Sequence, residues 1–326
     1  MHRYLLSRSI SAVVLLVAVT IINFVLTHVL PGNPVDALVG EFPAPPAYIA
    51  TVRHNFGLDR PLDVQLLLYF ENLLHGNLGF SFANHQPVLP LVLQRSVFTL
   101  LLMLPALTVA SAVGVALGGA AARRAGSLWD PLITTISVGG YSIPIFWLAQ
   151  VLIVIFAVQL SVLPAQGMLS VTAEKAGLGL VGDYLRHLIL PGFAIAASYM
   201  ALAARVARAS FARASHEDFA LLALAKGLSR AGVFWRHVVP NGLIPVVTVI
   251  GYNFSYALTG AILTETVFGW PGVGYLFITS TDKRDYPVLD AIFLLATVTV
   301  ILTNLLTDLT YAVIDPRVRR SYFRPT

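Results

Sequence analysis

The chain has 326 residues, of which 57% are hydrophobic and 11% charged, with a formal net charge of +5 and a mean hydropathy of +0.77. A soluble domain carries about 25% charged residues, so water is not the main solvent here. The absence of cysteine excludes disulfides, thiolate metal sites and a cysteine nucleophile, and the histidines are scattered without metal-type spacing.

The first apolar run, 10–30, is long enough to cross a bilayer. Its Leu, Ile, Val and Phe residues each contribute roughly −0.3 to −0.6 kcal/mol to insertion, and neither Asn23 nor His28 reverses that sum. Arg3 and Arg8 precede it as in a signal peptide. The run is too long for one, however, and Leu30-Pro31-Gly32-Asn33-Pro34 has no small-residue cleavage pattern, so it is expected to stay attached as helix 1. The following loop, 31–96, opens with Pro31, Pro34, Pro43, Pro45 and Pro46 and then reads as helices over 49–56 and 61–75. In the second of these, Leu66, Leu67, Tyr69, Phe70, Leu73 and Leu74 are too dense for a solvated face, which predicts a short helix at the membrane surface or on the bundle. It either caps the bundle or binds a partner.

Further spans are predicted at 97–122, 132–160, 188–204, 242–263 and 289–313, six in all. Gly114 and Gly118 form a Gly-x-x-x-Gly in span 2, a helix-packing pattern. Pro144, within Gly139-Gly140-Tyr141-Ser142-Ile143-Pro144, removes a backbone donor inside span 3 and should kink or break it. The break either lines a cavity with Tyr141, Ser142 and Pro144 or is purely structural. Span 4, short and Ala-rich, should be packed inside the bundle. Ahead of it, Gly177-Leu178-Gly179-Leu180-Val181-Gly182 matches a dinucleotide fingerprint by letter, but it is expected in a loop with no strand–turn–helix context and is not read as a nucleotide site. No Walker A pattern is present, so the chain itself holds no ATP.

About two thirds of the 21 basic residues fall in 1–9, 123–131, 205–240 and the tail after 313. The positive-inside rule then places both termini in the cytoplasm of a multi-pass cell-membrane protein. Orientation explains the basic balance without nucleic acid. Within 205–240, Ser215-His216-Glu217-Asp218 is a capping-box pattern, and Gly227 is placed to stop the helix it starts, giving a cytoplasmic helix over about 217–226. Ala220, Ala223 and Gly227 recur at helical spacing and leave one face almost bare. That face is either a docking surface for another protein or part of an ordinary solvated loop. Acidic groups avoid mid-membrane depth: Asp308 falls near the inner end of span 6 and Glu265 past the outer end of span 5. Energy for pumping is therefore expected from a partner rather than from an ion gradient.

Seven segments carry a further likeness: LPGNPVDAL (30–38), FGLDRPLDVQ (56–65), LLHGNLGFSF (73–82), LALAKGLSRAGVFWRHVVPNGLIPVVT (222–248), LTETVFGWPGVG (263–274), RDYPV (284–288) and DLTYAVIDPRVR (308–319). In this order they resemble the dipeptide, oligopeptide and nickel permease family of binding-protein-dependent ABC importers, first permease type. The resemblance implies an all-α polytopic membrane protein: helix 1 in 1–30, an extracytoplasmic helical loop in 31–96, a five-helix core in 97–313 and a cytoplasmic tail in 314–326. It implies a non-catalytic subunit forming half of a pathway for peptides, with nickel or metal chelates, glutathione or oligosaccharides as alternative solutes and an ATP-independent secondary transporter as the competing class. Implied partners are a second permease, two ATP-binding subunits that hold ATP and magnesium, and an extracytoplasmic solute-binding protein. Glu217, Asp218, Ala220, Ala223, Ala225, Lys226 and Gly227 would form the ATPase-coupling helix; Tyr141, Ser142, Pro144, Asn253 and Tyr256 are candidates to line the pathway. Two departures stand out: Leu221 occupies the initial Glu position of the coupling motif, and Pro240 stands where the family often has a basic residue.

Overall fold

A computed structural model describes residues 2–29, 45–46, 59–81, 83–127, 131–132, 135, 139–140, 142–171, 176–257 and 261–314. Tyr141, the expected 49–56 helix, the 30–38 segment and the tail from 315 lie outside these residues. Among those described, helices dominate: α1 (His2–Val29), α2 (Leu62–Leu74), α3 (Val88–Arg123), α4 (Ile145–Gln159), α5 (Leu178–Ser215), α6 (Asp218–Ala225), α7 (Arg230–Ser255), α8 (Ile262–Val267), α9 (Val273–Asp282) and α10 (Tyr286–Ile314). A two-residue antiparallel hairpin, β1 (Phe80–Ser81) with β2 (Gln86–Pro87), precedes α3. Helices α1, α3, α5, α7 and α10 are long and apolar enough to cross a membrane, and α4 is a shorter apolar helix.

Several expected boundaries move. Helix α3 begins at Val88, well before 97, and α5 begins at Leu178 rather than 188. The glycine-rich letters at 177–182 are therefore the first turn of that helix and not a loop. Gly177, at φ +88°, supplies the left-handed residue from which the helix starts. Span 5 was expected to reach Leu263, but α7 stops at Ser255 and Leu263 belongs to the separate short helix α8. Pro144 breaks the third span outright: its ring sets φ at −60° with an extended ψ of 129°, and α4 starts at the next residue.

The bundle is organised on α3 and α5. A Cβ on Gly114 would meet the Met200 carbonyl and the Ala203 methyl, and one on Gly118 would meet Ala204 and Ala207. The two backbones thus approach as closely as small residues permit, which is how membrane helices gain packing without a hydrophobic drive. Helix α5 has the largest buried share of the five long helices, 44% of its most apolar window, as its alanine content suggested. Several hydroxyls in the spans are satisfied locally. Thr297, Thr299, Thr303 and Thr307 each donate to the carbonyl four residues back, which removes their cost in an apolar solvent.

The two ends differ. At one, the ends of α3 and α5 and the start of α7 carry Arg123, Arg124, Arg213, Arg230 and Arg236, and Ala122, Ala214, Val233 and Phe234 of the same stretches share one buried cluster. At the far end, Val88, Leu91 and Val92 of α3 pack with Val273 and Leu276 of α9 and Val288 and Ile292 of α10. The hairpin is tied down there: the Ser81 hydroxyl donates to Asp285, and the Asn84 side-chain amide donates to Ser81. Helix α2 has no buried residue and rests on α1 through the Phe24–Tyr69 ring contact, 6.1 Å between centroids.

Candidate functional site

At the Arg-rich end the chain leaves α5 and turns into α6. The expected capping box does not form. Ser215 is still inside α5, and its hydroxyl donates to the Phe211 carbonyl at 2.7 Å instead of capping the next helix. Helix α5 runs on through Ser215 and so consumes the cap. Helix α6 instead starts after an extended Glu217 with no side-chain cap, and only Asp218 complements its positive end. Its other end is as expected: Gly227 sits at φ +86°. The Gly227 amide donates to the Leu224 carbonyl at 2.9 Å and the Leu228 amide to the Ala223 carbonyl at 3.3 Å, a Schellman termination. Ser229 then caps the start of α7 by accepting from the Gly232 amide at 3.1 Å.

The bare face of α6 points inward. Ala220 and Ala223 are 1% and 6% exposed, packed in one cluster with Phe211 of α5, Ala122 of α3 and Val233, Phe234, Val238 and Val246 of α7. Small side chains let a two-turn helix seat directly on three long ones, so Ala220 and Ala223 are unavailable for docking. What faces outward is Glu217, Asp218, Ala225, Lys226 and Gly227 together with Leu221, Leu222 and Leu224, which are 51%, 57% and 38% exposed. Beneath, Phe211 and Phe234 meet edge to face at 5.9 Å, and the Arg123 guanidinium lies 5.6 Å from the Phe234 ring. The helix is thus a rigid knob whose base is fastened to α3, α5 and α7 and whose apolar top is uncovered.

The expected pathway residues separate. Ser142 and Pro144 are exposed at the entrance of α4, and Tyr256 is exposed just beyond α7. Asn253 is not part of that surface. It is 2% exposed, and its side-chain nitrogen is buried without a hydrogen-bond partner.

A second built site was missed from sequence. In α8, outside the long helices, Glu265 is fully buried. One carboxylate oxygen accepts from the Thr99 hydroxyl of α3 at 2.7 Å; the other accepts from the Gly274 and Tyr275 amides at 2.7 and 3.1 Å. Thr99 in turn accepts from the Val273 amide at 2.8 Å. Three of the orphan donors at the start of α9 are thereby satisfied by side chains from two other elements. Gly272 is required because a Cβ there would collide with the carboxylate, and one on Gly274 would meet the Ile262 backbone. Trp270, fully buried, donates to the Phe98 carbonyl at 2.9 Å, and Arg95 donates to the Pro271 carbonyl at 3.0 Å. Burial lifts the Glu265 carboxyl to about 7, against the opposing pull of the Thr99 hydroxyl, the two amides and the Arg95 charge. Asp285, outside the spans as well, is raised by burial in the same direction. The available signal was the glycine pair flanking Val273, which marks a close backbone approach, but nothing local names Thr99 as the partner.

Comparison with known proteins covers nearly the whole chain. The family described as "Binding-protein-dependent transport system inner membrane component" matches residues 114–320, and its N-terminal counterpart matches residues 1–103. The chain is 39% identical over 315 residues to the di/tripeptide transport system permease protein DppB of Pseudomonas aeruginosa, covering 92% of this chain and 94% of the relative. It is 36% identical to the dipeptide transport system permease protein DppB of Escherichia coli K12, covering 98% and 99%. It is 37% identical to the glutathione transport system permease protein GsiC of Salmonella paratyphi A, over the same shares.

Proposed function

The chain belongs to the binding-protein-dependent transport system inner membrane component family, and from that membership we propose that it supplies one half of the translocation pathway of an ATP-driven importer of short peptides. Full-length similarity to permeases named for dipeptides and di/tripeptides supports the solute class. The glutathione permease among its relatives favours a second reading in which the solute is that modified tripeptide. The energy source is a pair of ATP-binding subunits docked at the Arg-rich end, which the positive-inside rule orients to the cytoplasm. A second permease and an extracytoplasmic solute-binding protein complete the machine, with ATP and magnesium held by the ATP-binding subunits.

The observation that carries this reading is the seating of α6. Its uncovered leucines offer an apolar contact to a partner, and Ala220 and Ala223 lock its base into the cluster joining α3, α5 and α7. A push on Leu221 and Leu222 is therefore passed to the ends of three spans, while the Gly227 termination keeps the helix from unwinding under it. Such a push shifts the balance between two arrangements of the spans to the extent that the partner binds one better than the other. Ser142, Pro144 and Tyr256 remain candidates for the pathway, with Tyr141 next to Ser142 in sequence, whereas Asn253 is turned away from the exposed side of α7. The test is uptake by proteoliposomes holding the four subunits and the binding protein. Uptake of labelled dialanine that needs internal ATP and stops with vanadate is expected, and uptake that follows a proton gradient and ignores vanadate would refute the reading.

A further inference from the structure

The Arg-rich end holds positive charge that the chain does not neutralise. Among the described residues, neither Arg123, the last residue of α3, nor Arg236, near the start of α7, has a carboxylate partner. Both are exposed. Between Phe234 and Val238 the backbone of α7 forms a π-helical turn, which keeps Phe234 and Val238 buried and leaves Trp235 61% exposed beside Arg236.

Phe234 joins the two helices at this point. Its ring is 5% exposed and is fixed edge to face against Phe211 at 5.9 Å. The Arg123 guanidinium lies over the Phe234 ring, 5.6 Å from its centroid, and the Trp235 ring meets Phe234 at 5.4 Å with planes at 85°. One held ring thus positions a guanidinium from α3 and an indole from α7 together. An aromatic face occupies one side of a guanidinium and leaves its N–H edge free to fork onto an oxyanion.

Depth decides which oxyanion. Between Arg95 and Arg123, α3 carries 27 residues without a charge, about 40 Å of helix. The hydrocarbon core of a bilayer is about 30 Å thick, and the bilayer with its headgroups about 40–45 Å. Arg123 therefore emerges among the headgroups, and Phe234 and Trp235 lie beside it. Arg236 is the last Arg, Lys, Asp or Glu of α7, so the boundary on that helix falls at the same place. An uncovered indole at that level is where such rings favour the junction of water and lipid. Helix α6, by contrast, turns outward three leucines with charges of both signs, a surface for protein. The Arg123–Arg236 patch carries one sign only.

We propose that Arg123, Trp235 and Arg236 form a site for the headgroup of an anionic phospholipid of the cytoplasmic leaflet. Arg123 forks onto the phosphate, Arg236 adds charge beside it, and Trp235 covers the glycerol and the top of an acyl chain. Basic groups where helices leave a membrane attract such lipids. The site lies at the joint of α3 and α7, next to the cluster that seats α6, so a bound lipid ties the ends of both helices together. The proposal goes beyond the importer reading and is independent of the solute carried.

The chain has no cysteine, so bimane on Trp235→Cys reports without background from this subunit, with the two arginines in place. The full complex is set in nanodiscs of mixed phosphatidylglycerol and phosphatidylcholine. A lipid with a nitroxide high on its acyl chain is introduced as one or the other, at equal mole fraction. Quenching by the phosphatidylglycerol form is expected to exceed that by the phosphatidylcholine form at least about fivefold, the contribution of one arginine at such a surface. Arg123→Gln and Arg236→Gln should each at least halve that ratio, whereas Arg230→Gln, at the exposed first residue of α7, should leave it unchanged. If Trp235→Cys does not assemble, bimane at Ala231→Cys, exposed four residues earlier, carries the same comparison. Equal quenching by both lipids would overturn headgroup selection. An equal drop with Arg230→Gln would reduce the site to diffuse charge and overturn it. No quenching by either lipid would assign the face to an ATP-binding subunit or the second permease and overturn the lipid site, leaving the importer reading untouched.

Discussion

Replacing Glu265 tests whether the α8–α9 elbow is held by a carboxylate or merely filled by one. Alanine would strand the buried Gly274 and Tyr275 amides and the Thr99 hydroxyl. At about 1–3 kcal/mol for each of the three buried donors left unpaired, the loss is about 3–9 kcal/mol. Glutamine keeps an oxygen for the two amides but presents an NH2 group to Thr99, whose hydroxyl must then turn away, a loss of about 1 kcal/mol. The pH dependence separates charge from shape. The carboxyl titrates near 7 in the folded protein against an ordinary 4.5, so folding favours its protonated form. Its stabilising contribution is complete below about pH 4.5 and is lost as pH rises to about 7, a change of about 3 kcal/mol. Unfolding midpoints of the purified complex between pH 5 and 8 should therefore fall with pH in the native chain and fall less steeply in Glu265→Gln, where Asp285 still adds a slope of the same sign. An alanine variant as stable as the glutamine one, or a glutamine variant that keeps the native slope, would refute the capping role.

Other expectations follow from the Arg-rich end and the helix pair. Gly227→Ala meets no neighbour and should cost about 1 kcal/mol through its left-handed backbone alone; Gly227→Trp should abolish ATP-driven uptake while membrane insertion, read by fractionation, is retained. Leu222→Asp, at a 57% exposed position, should leave the unfolding midpoint within about 0.5 kcal/mol of native yet prevent copurification of the ATP-binding subunits. Gly118→Leu forces α3 off the Ala204 and Ala207 face of α5 and should destabilise by about 1–3 kcal/mol, seen as a lower midpoint and faster proteolysis.

The order of the spans, the family likeness and the helix at 218–225 were readable from the chain alone. Transfer of apolar residues into lipid sums along a segment and needs no knowledge of neighbours, and a glycine stop acts within a single turn. Pro144 likewise broke its span where the ring demanded. Orientation within the bundle was not readable, because it depends on residues far apart in the chain. Ala220 and Ala223 look like a docking face until Phe211 and Val238 are found against them. Asn253 looks like a pathway residue until α7 turns it inward and turns Tyr252 and Tyr256 outward. Glu265 gains its partner only when Thr99 is brought beside it. Local chemistry thus decided what each segment is, and tertiary packing decided which side of it is free to act, since a helix face is defined only by what covers the other.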